Sequence, residues 1–107
     1  MKRAVIFPTN GQAYEVDLGT DTLTTLKNAV GGWIEPVELG SPWTMWVNEE
    51  GKLKQLAVND KATQMFNEGL HEVIDLIVGN VIFTGGTTPT GATKGLTDKS
   101  VKYLLEY

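Results

Sequence analysis

The pattern of this sequence predicts an α+β fold: one domain over residues 1–107, with a mostly antiparallel sheet and two or three helices packed on one face. Three observations lead there. Alternating or densely β-branched runs recur from Ala4 to Phe83. Helix-type spacings interrupt them irregularly, unlike the strand–helix alternation of a parallel sheet. Turns rich in Gly, Pro and Asn separate neighbouring runs.

Ala4 to Phe7 is a compact β run stopped by Pro8-Thr9-Asn10-Gly11, and Ala13 to Leu18 alternates with a period of two, so the pair reads as a hairpin. Thr20-Asp21-Thr22 offers capping oxygens ahead of Leu23, Leu26, Ala29 and Val30, and Gly31-Gly32 supplies the stop, which predicts a helix over 22–30. Trp33 to Leu39 alternates again, and Pro36, lacking an N–H, places it at a sheet edge. After the Gly40-Ser41-Pro42 turn, Trp43 to Val47 is a strand, and Asn48-Glu49-Glu50-Gly51 suits a hairpin returning through Lys52-Leu53-Lys54. Asn59-Asp60 caps a short helix bearing Ala62, Met65 and Phe66, with an exit at Gly69-Leu70-His71. Val73–Val78 and Val81–Phe83, parted by Gly79-Asn80, read as two core strands or one bulged strand. Residues 84–97 form a Gly/Thr-rich loop, and Thr97-Asp98 caps a last helix with Val101, Leu104 and Leu105 on one face.

Charge narrows the function. Nine Lys and Arg against thirteen Asp and Glu leave a net −4, without the basic footprint that nucleic acid requires. The acids are scattered, with no run longer than Glu49-Glu50, which disfavours a phosphate-mimicking decoy. No cysteine is present, so thiolate chemistry and Cys-ligated metals are excluded. The apolar run after Met1-Lys2-Arg3 is cut at Pro8, too short for a signal or a membrane span, and the expectation is a soluble, cytoplasmic chain.

Catalytic constellations are weak. His71 is the single histidine, and Ser41 and Ser100 are the only serines, with no triad signature around them. One imidazole near Glu72 and Asp75 is a poor metal set. The expectation is a protein that is not an enzyme, with no catalytic residue, metal or cofactor.

Trp46-Val47-Asn48-Glu49-Glu50-Gly51-Lys52-Leu53-Lys54, followed by Leu56, Val58-Asn59 and Ala62-Thr63, resembles the DUF3846 family, a domain of unknown function. Ala29-Val30-Gly31-Gly32-Trp33-Ile34-Glu35 and Ile77-Val78-Gly79-Asn80-Val81-Ile82-Phe83-Thr84-Gly85 extend the resemblance over most of the chain. It implies a small protein of phages and of bacteria carrying mobile elements. It implies no assigned activity. Small accessory phage proteins often act on the host, including by countering its defences.

Two binding readings follow. Gly86 to Gly91 has the glycine spacing of a phosphate-cradling loop, yet Lys94 is displaced from the lysine position by Ala92 and Thr93, so nucleotide hydrolysis is not expected. A weaker anion site survives on Gly85, Gly86, Thr87, Thr88, Thr90, Thr93 and Lys94. Trp33 or Trp43 would stack on a base, so the ligand would be a small nucleotide-derived molecule, sequestered by a homo-oligomer; the phage-like resemblance implies a host defence signal. The alternative is a protein-binding inhibitor that presents Trp46, Glu49 and Glu50 to a host protein. Trp43 and Trp46, three apart, should lie on opposite faces of their strand, with one of them outside the core.

Overall fold

The structure, a computed structural model, describes residues 1–39, 42–68 and 75–107. Five strands form one antiparallel sheet in the order β2-β1-β5-β4-β3: β1 (Arg3–Phe7), β2 (Tyr14–Asp17), β3 (Ile34–Glu38), β4 (Trp43–Asn48) and β5 (Val81–Gly85). Three helices complete it: α1 (Thr22–Val30), α2 (Asp60–Phe66) and α3 (Asp98–Glu106). The α+β class and the antiparallel sheet are therefore as expected.

The helices do not share one face. Val5, Phe7, Met45, Val47, Val81 and Phe83 pack with Ala62 of α2 and with Val101 and Leu104 of α3. Ala4, Ile6 and Ile82 point the other way, onto Leu26 and Val30 of α1. The cause is local: Ala4-Val5-Ile6-Phe7 and Val81-Ile82-Phe83 are apolar at both parities of the strand period, so both faces of the sheet need cover. Every residue of β5 is accordingly buried.

Local chemistry sets the helix ends. Asp21 accepts from the Thr24 N–H at 3.1 Å, and Gly31 closes α1 in the left-handed region at φ 79°, donating to the Lys27 carbonyl. Asn59 caps α2 and Thr97 caps α3. Leu23 of α1 and Leu105 of α3 fall outside the buried stripes and lie exposed.

β3 is an edge strand, and its proline fits the ladder. Glu49 donates its N–H to the Trp33 carbonyl at 2.8 Å, so main-chain groups at 33, 35 and 37 face β4 while those at 34, 36 and 38 face outward. Pro36 thus costs no sheet bond and removes one donor from the open edge.

Two expected strands are absent among the described residues. Lys52-Leu53-Lys54 does not return along β4, because β3 and β5 already occupy both of its flanks. Instead the Asn48 side chain accepts from the Glu50 N–H at 2.8 Å and starts a run of tight turns through Gln55, with Gly51 bonded to Asn48, Lys54 to Glu50 and Leu56 to Gly51. Of Val73–Val78, residues 73 and 74 lie outside the described residues, as do His71, the expected exit at Gly69-Leu70-His71, and Gly40-Ser41. Asp75 to Val78 joins no sheet; a single bridge pairs Val78 with Val58.

Candidate functional site

The Gly/Thr segment is a small hairpin. Thr84 and Gly85 belong to β5, and beyond them Thr87 bridges Thr93. Part of its main-chain donor set is spent internally. Gly85 donates to Lys94, Lys94 to Gly86, Thr88 to Ala92, and Gly91 to Thr88, while Ala92 N–H reaches the Thr88 hydroxyl. The Thr88 and Thr90 hydroxyls bond to each other at 3.0 Å. The glycines have a packing cause: a Cβ on Gly85 would stand 2.6 Å from the Gly95 carbonyl oxygen, and one on Gly95 2.8 Å from the Arg3 nitrogen. The chain crosses itself there, and Leu96 beyond is core.

The aromatic partners fall elsewhere. Trp43 pairs with Gly85 and so adjoins the hairpin, but its ring packs against Phe83 and Tyr103 and its indole N–H donates to Ser100 Oγ at 2.8 Å. Trp33 sits beside Glu49 at the opposite end of β4, on the order of 15–20 Å away along the strand. A single pocket made of Trp33 and the hairpin is therefore not formed within one chain.

Trp43 and Trp46 do face opposite sides, as the spacing requires. Both are half-buried, with the Trp46 indole bonded to Thr84 Oγ1 at 2.9 Å, so neither is the exposed ring. That role belongs to Trp33, 58% exposed, with the Lys27 ammonium 3.9 Å over it.

A cleft of about 230 Å³ opens on the face of β3 and β4 that carries Val37 and Val47. Buried Val47 and Ile77, with half-buried Val37 and Val78, make its apolar lining. One wall is the tight-turn segment with Leu53; the other is the Asp75–Val78 segment with Leu76. Leu53 is 84% and Leu76 46% exposed. Glu35, Glu49 and Asp75 stand in the lining, and Lys52, its one cation among the described residues, bonds to Asp75. The hydrogen bond from Lys52 holds the Asp75 carboxyl below the ordinary carboxylate range, aided by Coulomb attraction and the Leu76 N–H and opposed by partial burial.

Asn59 fastens the second wall. It is 1% exposed, and its side-chain amide donates to the carbonyls of Phe7 and Gly79 at 2.8 and 3.0 Å, while its main-chain N–H donates to Ile77. The Thr63 hydroxyl both donates to the Ile77 carbonyl and accepts from its N–H.

With the geometry in hand, family comparison is decisive on one point. The DUF3846 model, a domain of unknown function, matches residues 1–107. The chain belongs to the DUF3846 family. No curated protein and no solved structure matches it. Among the described residues no helix is long and apolar enough to cross a membrane, and no cluster of His, Asp or Glu is arranged to hold a metal ion.

Of the binding residues expected from sequence, the described lining of the cleft takes in Glu49 alone, with Asp75 of the discounted metal set on its other wall. Glu50 lies on the same turn, 3.9 Å from Lys54, and Trp46 is on the other face of the sheet. Val37, Leu53, Leu76 and Glu35 were missed. The signal was present: Leu53 is an aliphatic residue between two lysines in a segment too polar to be a core strand, which marks a leucine held in solvent.

Proposed function

We propose that this DUF3846 chain acts by binding another protein, without turnover, through the cleft between β3–β4 and the Asp75–Val78 segment. The observation that carries this reading is the pair of solvent-exposed leucines, Leu53 and Leu76, flanking an apolar lining with a mostly acidic rim. Exposed aliphatic groups beside a concave apolar surface are the ordinary mark of a protein contact. The size agrees: about 230 Å³ falls short of the roughly 300–1,000 Å³ of small-molecule pockets and suits one or two inserted side chains. Glu35, Glu49 and Asp75 against Lys52 favour a partner segment carrying Lys or Arg around an apolar residue, and they repel phosphate. In the phage setting that the family resemblance implies, the partner is a host protein.

The test uses extended synthetic peptides with a central Leu or Phe flanked by Lys, and matched peptides flanked by Glu, titrated by fluorescence anisotropy. The cationic peptides bind, more weakly as salt rises, and Leu53→Asp abolishes binding while leaving the melting temperature unchanged. Equal binding of the acidic peptides refutes the reading. So does a melting temperature raised by nucleotides and restored to baseline by Lys94→Glu, which would return the site to the Gly85–Lys94 hairpin.

A further inference from the structure

Asn10 is the one asparagine in the chain followed by glycine. It lies in the exposed turn between β1 and β2, outside regular secondary structure. Gly11 is exposed too, at φ 109°, with nothing within 4 Å of where a Cβ would stand, so no neighbouring group crowds the turn on that side. Among the described residues the Asn10 carboxamide makes no hydrogen bond. The other asparagines differ. Asn48, Asn59 and Asn67 are buried and bonded, Asn80 accepts from the Thr9 N–H, and Asn28 is held in α1.

We propose that Asn10 is a site of spontaneous deamidation, with water as co-reactant. The Gly11 nitrogen loses its proton to solvent and bonds to Asn10 Cγ. The Cγ–Nδ2 bond breaks, the nitrogen takes one proton from solvent and leaves as ammonia, and a five-membered imide is closed. Water then adds to either imide carbonyl and breaks one C–N bond, giving aspartate or isoaspartate; nothing is oxidised or reduced. Either product adds one carboxylate to a formal charge of −4, making −5. The isoaspartyl form also inserts a methylene into the main chain next to Thr9, whose N–H is bonded to Asn80 Oδ1 at 2.9 Å.

Incubating the purified chain in mildly alkaline buffer, followed by charge-resolved mass spectrometry and peptide mapping, tests this. The first acidic isoform is heavier by the difference between an amide and an acid, maps to position 10, and takes up label from heavy-oxygen water. Asn10→Gln, whose ring closure would need a six-membered imide, loses that isoform. Conversion appearing first at Asn28 or Asn80, or at an undiminished rate in Asn10→Gln, overturns the proposal.

Discussion

Replacing Asn59 with alanine removes three hydrogen bonds from one buried amide. Its oxygen accepts from the Ala62 N–H at 3.1 Å as the cap of α2, and its nitrogen serves the Phe7 and Gly79 carbonyls. Loss of the cap costs about 1 kcal/mol. Each carbonyl left without its partner costs about 1 kcal/mol more, since the site is buried. The sum, about 3 kcal/mol, is a large part of the roughly 5–15 kcal/mol that holds a domain together. It lowers the melting temperature by roughly 12–18 °C. Asn59→Asp separates the contributions. Aspartate caps a helix as well as asparagine does, so a purely capping role predicts no loss. Facing two carbonyl oxygens in a buried site, the carboxylate is disfavoured, and its folded pKa rises above the unfolded value. The stability of that variant is therefore greatest below the unfolded carboxylate pKa and declines as pH rises through the folded one. Urea denaturation across pH reads this directly. An Asn59→Asp protein as stable as the parent at neutral pH, with Asn59→Ala losing only about 1 kcal/mol, refutes the bridging role.

Gly85→Ala places a methyl 2.6 Å from the Gly95 oxygen and 3.1 Å from that of Lys94, main-chain atoms that cannot swing aside, so about 1–3 kcal/mol is lost in urea denaturation. Gly91→Ala meets open space but sits at φ 89°, and loses about 1 kcal/mol; a neutral Gly85→Ala would show that the close approach is not what requires that glycine. On acidification, the carboxyls of Glu15, Asp17, Asp21 and Asp75 count together. Hydrogen bonds from Arg3, from the Gly19 N–H, from Thr24 and from Lys52, respectively, lower each folded pKa. Their contribution is present above the unfolded carboxylate pKa and is lost as pH falls through the folded ones, so the melting temperature drops below about pH 4, and Glu15→Gln flattens that drop.

Much of the fold was legible because its causes are local. Asp21, Asn59 and Thr97 announce helix starts by reaching main-chain N–H groups three residues ahead, and Gly31 ends α1 through its own φ. Pro36 marked the edge because one missing N–H can be tolerated only there. The family, too, was readable from runs of side chains, and the model of that family covers the whole chain. The candidate site was hardly legible. Glycines at 85 and 95 look alike whether they admit a phosphate or a crossing strand, and only the approach of the Lys94–Gly95 main chain to Gly85, and of Gly95 to Arg3, distinguishes them.

Residue type and spacing along the chain determined which segments extend, which coil and where each helix begins, since those choices involve partners a few positions away. Tertiary structure decided what lies beside β4. With β3 and β5 pairing its two flanks, the Lys52–Lys54 segment had no ladder to join, so Leu53 was left in solvent on the wall of a cleft that Asp75–Val78 completes from the other side. A strand has two hydrogen-bonding edges, and which segments win them depends on competition among residues tens of positions apart.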